Sequence, residues 1–164
     1  MYLPLPKPTE DQMEKAFPPR RIPTGEIGGI APELYDYRRD FGNRTWQEID
    51  DDTYGMHSDA FCLMDRETLR HFIAGFMRQS MKEEKLLDQY ALIRFAASNK
   101  FPGFCRLLTQ DQLLCVIGFV DHVIMNDWYS DGERSAYRAN REKLFRGTAP
   151  ISRGWPAEFI GQKT

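Results

Sequence analysis

Helical periodicity dominates the pattern of apolar and polar positions along this chain. Apolar side chains recur at spacings of three and four residues in two long segments, residues 65–81 and residues 109–125. This spacing places them on one face of an α-helix, which is then buried against other elements. We therefore predict two long amphipathic helices that build the core. The predicted core residues are Leu69, Phe72, Ile73, Phe76, Val116, Ile117 and Val120.

Capping residues mark further helix starts. In a capping box, a Ser or Thr is followed three residues later by Glu or Gln, and each side chain accepts from a backbone N–H of the first turn. Four such pairs occur: Thr9 with Gln12, Thr45 with Glu48, Thr109 with Gln112, and Ser130 with Glu133. Together with apolar spacing, the capping signals predict additional helices over residues 9–17, 32–42, 83–97 and 130–145.

Strand patterns are scarce. Only residues 60–64 and 104–108 could form strands, and both segments are short. Residues 50–59 lack apolar periodicity and contain Gly55, so we predict an exposed loop there. The predicted fold class is mainly α: a compact, orthogonal or irregular bundle of about five to seven helices with little or no sheet.

Composition divides the chain into three parts. Residues 1–30 are predicted to form an N-terminal arm, a short helix and a linker rich in proline and glycine. Residues 31–146 hold most of the periodic segments and are predicted to form a single helical domain. Residues 147–164 lack periodicity, and we predict a C-terminal tail whose Trp155, Phe159 and Ile160 pack on the domain.

Several spaced motifs resemble those of a family of uncharacterised bacterial proteins. The motifs are Phe17-Pro18-Pro19, Phe41-Gly42-x-x-x-Trp46, Leu63-Met64-Asp65-Arg66-Glu67-x-x-Arg70-x-Phe72 and Leu108-Thr109-x-x-Gln112. The resemblance extends over residues 17–120 and implies a compact, mostly helical domain. It implies no established activity. The segment beyond Gly147 is a departure from the family's pattern.

The charge balance and the apolar runs exclude some classes of protein. The formal net charge of the 164 residues is -2, which argues against a nucleic-acid binder that depends on a basic face. No apolar run approaches the roughly 20 residues of a membrane helix, and no secretory signal precedes the first helix. We therefore predict a cytoplasmic protein that does not enter the membrane.

The cysteines, histidines and basic residues of the chain predict no catalytic or metal site. Cys62, Cys105 and Cys115 lack metal-ligand spacing and are predicted to be buried, reduced thiols. His71 and His122 are predicted at the edge of the core or on the surface. Three arginines share one face of the last predicted helix, and we interpret that face as solvated: Arg134, Arg138 and Arg141.

The charges are unevenly distributed, and this points to a binding surface. Residues 31–65 hold nine acidic and three basic side chains, a net charge of -6, whereas residues 66–106 have a net charge of +4. Acidic surfaces attract basic partners. Aromatic side chains interleaved with the carboxylates would anchor such a partner. The predicted partner-binding residues are Trp46, Asp50, Asp51, Asp52, Tyr54, His57 and Asp59.

The function predicted from these features is non-enzymatic protein binding. Its most concrete form is an immunity protein that neutralises a toxin, with a basic toxin domain as the partner and no cofactor. Two alternatives stay open. Residues 50–59 could serve a metal-dependent hydrolase, although they lack the spacing of a calcium loop. A structural or scaffold subunit would use the aromatic tail around Trp155 as its contact.

Overall fold

The computed structural model describes residues 4–83, 86–124 and 129–146, and almost all regular structure in them is helical. Nine α-helices are present in these residues, together with two 3₁₀ turns at Thr24–Glu26 and Trp46–Glu48. The helices are α1 (Glu10–Ala16), α2 (Glu33–Phe41), α3 (Asp51–Met56), α4 (Ala60–Leu63), α5 (Arg66–Glu83), α6 (Leu86–Ala96), α7 (Phe101–Cys105), α8 (Gln110–Ile124) and α9 (Asp131–Arg146). The predicted mainly α bundle is confirmed.

All four capping boxes are formed. In the first, the Gln12 side chain accepts from the Thr9 N–H at 2.9 Å, and Thr9 Oγ1 accepts from the Gln12 N–H at 3.2 Å. The corresponding bonds start the Trp46–Glu48 turn, α8 and α9. Each box satisfies N–H groups that have no partner inside the helix, so the starts are fixed by residues a few positions apart.

The two short segments that could have formed strands do not form them in the described part of the chain, in agreement with the prediction of little or no sheet. Residues 60–64 contain α4, and residues 104–108 comprise the end of α7 and the turn that follows it. The β pairing that is present is an isolated bridge between Gly29 and Met64. The bundle therefore has more helices than the periodicity predicted, because α3, α4 and α7 are too short to show a helical repeat.

The apolar faces of α5 and α8 lie in the core, as predicted. Leu69, Phe72, Ile73 and Phe76 of α5 are buried, and so are Val116, Ile117 and Val120 of α8. Aromatic rings from α2, α3 and α4 pack against α5, with ring centres 4.9 Å apart for Phe41 and Phe72 and 4.8 Å for Tyr54 and Phe76. These are favourable separations for edge-to-face pairs. The packed rings hold α2 and α3 against the middle of α5.

Residues before α2 join the same core. Buried side chains from this part of the chain are Leu5, Met13, Ala16, Phe17, Ile22 and Ile27. The Leu5 N–H donates to the buried carboxylate of Asp121 in α8 at 2.7 Å. The Pro6 carbonyl lies so close to Gly118 that a methyl group there would overlap it. The proline-rich arm is thus fastened to α8 by a hydrogen bond and a close backbone approach.

The position of Arg141 in α9 contradicts the prediction of a solvated arginine face. Arg141 of α9 is 8% exposed and donates to both carboxylate oxygens of Asp121, at 3.1 and 3.0 Å. The Tyr137 hydroxyl donates to the same carboxylate at 2.6 Å. The prediction of a solvated arginine face is therefore wrong at Arg141, because Asp121 on α8 draws that arginine into the bundle.

None of the described helices is both long and apolar enough to cross a membrane. The predicted packing of the C-terminal tail, with Trp155, Phe159 and Ile160, falls outside the described residues.

Candidate functional site

Residues 50–59 are not an exposed loop, because residues 51–56 form α3 and a turn follows at residues 57–59. Asp50 caps α3, and its Oδ1 accepts from the Thr53 N–H at 2.7 Å. Asp51 and Asp52 occupy the first turn, where negative charge interacts favourably with the helix dipole. The loop prediction was wrong, since the three consecutive aspartates form a helix start and the segment is too short to show periodicity.

The aromatic residues predicted to anchor a partner belong to the core. Trp46 is 2% exposed, and its indole N–H donates to the Phe17 carbonyl at 2.8 Å. Tyr54 is 1% exposed, and its hydroxyl donates to the Trp46 carbonyl at 2.7 Å. Burial raises the pKa of Tyr54. The prediction of Trp46 and Tyr54 as surface anchors is therefore corrected, because Tyr54 packs on Phe76 of α5 and Arg78 of α5 covers the Trp46 ring.

His57 is also buried, and its partner is a residue that sequence reasoning did not connect with it. Its Nε2 lies 2.7 Å from the Asp40 carboxylate. Its ring packs against Tyr37 and Phe41, with centres 5.4 and 5.3 Å apart. A hydrogen bond from Arg39 and another from His57 hold the pKa of Asp40 below its usual range. Asp40 therefore joins α2 to the end of α3.

The predicted aspartates remain near the surface, in different environments. Asp50, Asp52 and Asp59 are exposed, whereas Asp51 is half-buried and lies 3.7 Å from Arg78. Asp59 accepts from the Tyr37 hydroxyl at 2.8 Å. Burial and this carboxylate both raise the pKa of that hydroxyl.

Carboxylates of α2 adjoin those of α3 and α4. The charges of Asp59 and Glu33 both raise the pKa of the Tyr37 hydroxyl on α2. The charge of Asp40 likewise acts to raise the pKa of Asp50, against the lowering by the Thr53 N–H. The exposed Asp36 follows Glu33 by three residues and is bridged to Arg39. We call this surface the acidic face. It consists of Glu33, Asp36, Asp40, Asp50, Asp52 and Asp59.

The acidic face provides fixed negative charge rather than proton donors. The Thr53 backbone N–H lowers the pKa of Asp50 by hydrogen bonding to its carboxylate, and the pKa of Asp40 is lowered by Arg39 and His57. Both carboxyls therefore stay ionised near neutral pH. Within the described ranges, no three His, Cys, Asp or Glu side chains are grouped as metal ligands.

Two exposed side chains on these helices were not among the predicted site residues. Tyr35 of α2 is 72% exposed, and Met56 of α3 is 68% exposed. A helical projection of residues 33–41 could have indicated Tyr35, since it lies opposite the apolar pair Tyr37 and Phe41. Met56 could not be placed in this way while residues 50–59 were interpreted as a loop.

Comparison of the chain with protein-family models, curated proteins and solved structures finds no match.

Proposed function

We propose that this protein is a non-enzymatic binding domain that engages a basic protein partner through the acidic face. The observation that supports the proposal is the concentration of carboxylates on neighbouring helices that are held rigidly against α5. The segment that contains them has a net charge of -6. Rigid, ionised side chains of this kind increase the rate at which an oppositely charged surface is captured.

The most concrete form of the proposal is an immunity protein that neutralises a toxin in the cytoplasm. An inhibitor of this type needs surface complementarity, and it needs no chemistry of its own. A basic toxin domain fits the charge of the acidic face. The three cysteines are unpaired in the structure, which is compatible with a reducing compartment.

Affinity capture with a charge-neutralised variant tests the proposal. Asp36, Asp50, Asp52 and Asp59 are changed together to Asn, which keeps the shape of each side chain and leaves residue 50 a good helix cap. A matched control removes four exposed charges elsewhere, with Glu10→Gln, Glu14→Gln, Asp131→Asn and Glu142→Gln. We expect a partner from the native host to bind the wild type and the control, with association at least about tenfold slower for the acidic-face variant.

The captured protein is then expressed alone in the host. The immunity proposal expects growth arrest, and it expects co-expression of this chain to restore growth. A partner that associates equally fast with both variants removes the acidic face from the interface. A partner that is harmless when expressed alone contradicts the immunity role.

A further inference from the structure

A cavity of about 330 Å³ lies between the proline-rich arm, α1 and α8. Its buried wall is formed by Leu5 and Pro8 of the arm, Ala16 of α1 and Cys115 of α8. The volume is about twice the roughly 150 Å³ of an engineered protein cavity that binds benzene. It also reaches the range of small-molecule sites, which begins at about 300 Å³. The cavity therefore has room for a ligand of about two aromatic rings.

Contacts between the arm and α8 hold the walls of this cavity in place. The Leu5 N–H donates to the Asp121 carboxylate of α8 at 2.7 Å, and the Pro6 carbonyl lies against Gly118 of the same helix. The proline rings of the arm fix its backbone φ angles. The arm therefore cannot fold into the cavity without loss of a buried hydrogen bond, and the cavity is formed before any ligand binds, as most small-molecule sites are.

The buried wall of the cavity is apolar and uncharged. Three of its four residues have hydrocarbon side chains, and the fourth is Cys115, whose thiol donates to the Gln12 carbonyl of α1 at 3.8 Å. Burial and the charge of Asp111 raise the pKa of this thiol to about 11, so it is protonated at neutral pH. An apolar ligand that enters the cavity exchanges water for an apolar surface, which is favourable.

Side chains of opposite charge border the open side of the cavity. Lys15 of α1 and Asp111 of α8 both line it, and both are exposed. Lys15 attracts an anionic ligand that Asp111 repels, and the converse holds for a cationic ligand. The two charges therefore give no net attraction to a ligand of either sign.

We propose that the cavity between the arm, α1 and α8 is a binding site for a small, uncharged aromatic molecule of about two rings. The ring system lies against the buried wall, and a polar end of the molecule lies between Lys15 and Asp111. The residues of this site all lie outside the acidic face. The site is therefore independent of the proposed protein-binding surface.

Three compounds with the same two-ring system and different head groups test the proposal. Naphthylmethanol is uncharged at neutral pH, naphthoate is an anion and naphthylmethylamine is a cation. In nuclear magnetic resonance titrations we expect naphthylmethanol to bind with a dissociation constant of about 1 mM or lower and to shift backbone signals of residues 5–16 and 111–118. Each charged compound is expected to bind at least about fivefold more weakly, because its head group loses water without a net opposite charge to replace it.

Variants that fill the cavity test its location. Ala16→Leu places a larger side chain in the buried wall and is expected to weaken the binding of naphthylmethanol at least about fivefold. The matched control Ala91→Leu makes the same change at a half-buried position of α6 that does not line the cavity, and it is expected to leave binding unchanged. Leu114→Trp fills the cavity from a half-buried position of α8, so the test stands even where Ala16→Leu does not fold.

Variants of the two charged residues test the choice of an uncharged ligand. Lys15→Gln leaves Asp111 alone at the opening, so we expect naphthylmethylamine to bind about twofold or more tightly than it binds the wild type. Asp111→Asn leaves Lys15 alone and is expected to favour naphthoate by a similar factor. Both variants are expected to bind naphthylmethanol as the wild type does.

Several results would overturn the proposal. Failure of naphthylmethanol to saturate the wild type would show that the cavity is not a site for such molecules. Unchanged binding in the folded cavity-filling variants would place the bound compound elsewhere. Tighter binding of naphthoate or naphthylmethylamine than of naphthylmethanol to the wild type would assign the cavity to a charged ligand.

Discussion

At the scale of single residues, the most constrained polar group is the Asp121 carboxylate. It is fully buried and accepts from the Leu5 N–H, the Tyr137 hydroxyl and the Arg141 guanidinium. A buried charge is tolerated when hydrogen bonds and an opposite charge replace the lost water. One carboxylate therefore connects the N-terminal arm, α8 and α9, and the Arg141 guanidinium supplies positive charge that offsets its burial.

Substitution of Arg141 tests this dependence. We expect Arg141→Ala to lower the free energy of unfolding by roughly 3 to 5 kcal/mol, since it removes the guanidinium that pairs with the buried Asp121 carboxylate. Arg146 is the matched control, because it lies on the same helix and pairs with Glu142 while 72% exposed. Arg146→Ala is expected to cost less than about 1 kcal/mol. Urea unfolding measures both, and equal losses would contradict the assigned role of Asp121.

At the scale of helices, the packing of α3 against α5 depends on a glycine, Gly75. Gly75 faces Tyr54 of α3, and a methyl group at position 75 would overlap the Tyr54 hydroxyl. That hydroxyl is tied to the Trp46 carbonyl, so the ring cannot move without loss of a buried hydrogen bond. The close approach of α3 to α5 therefore requires glycine.

Replacement of Gly75 tests the close approach. Glycine to alanine in a helix usually stabilises a protein by about 0.5 to 1 kcal/mol, because alanine has the higher helix propensity. We expect Gly75→Ala to destabilise by about 1 to 3 kcal/mol, since the overlap outweighs that gain. Gly132 in α9 has room for a methyl group, whose nearest neighbour would be Ser130 Oγ at an ordinary contact distance of 3.9 Å. Gly132→Ala is the control and is expected to be neutral or stabilising in thermal unfolding. A stabilising Gly75→Ala would show that the two helices are loosely packed.

The elements that sequence predicted well are those with local signals. Capping boxes and long apolar stripes are set by residues three and four apart, so they placed α1, α5, α8 and α9 within a few residues. The short helices α3, α4 and α7 lack enough turns for periodicity. The cap residue Asp50, followed by Asp51 and Asp52, was the signal that could have revealed α3.

The candidate site was only partly predictable for a different reason. The excess of carboxylates is visible in the sequence, but the burial of Trp46 and His57 depends on distant residues. Trp46 donates to Phe17, 29 positions away, and His57 contacts Asp40, 17 positions away. A sequence pattern does not encode such contacts, and exposed Tyr35 is distinguished from buried Tyr37 only by the direction of its helix face.

At the scale of the whole molecule, histidine and carboxyl groups make stability depend on pH in the same direction. Burial, with Arg70 and Arg20 nearby, lowers the pKa of His71, and burial also lowers that of His122. In the unfolded chain the histidine pKa returns to its ordinary value near 6.5. Between the two values the unfolded chain binds more protons, so stability falls as the pH decreases below about 6.5.

Protonation of carboxyl groups causes a second decrease in the free energy of unfolding, at lower pH. The pKa of Asp40 is lowered in the folded protein by hydrogen bonds from Arg39 and His57. Its contribution is therefore fully present above the ordinary carboxyl pKa of about 4 and is lost as the pH falls through the folded value. We expect the free energy of unfolding to change little above pH 7, to fall gradually toward pH 5, and to fall further below pH 4.

Histidine variants test whether His71 and His122 cause the decrease in stability below about pH 6.5. Urea unfolding of the wild type, His71→Gln and His122→Gln at pH 7.5, 6 and 5 gives the slope of stability against pH. Each proton taken up on unfolding contributes at most about 1.4 kcal/mol per pH unit. We expect His71→Gln to reduce the slope clearly, because His71 is half-buried. His122 is exposed, and water screens it, so His122→Gln is expected to reduce the slope less. An unchanged slope in His71→Gln would contradict burial of the neutral imidazole as the cause of the first decrease.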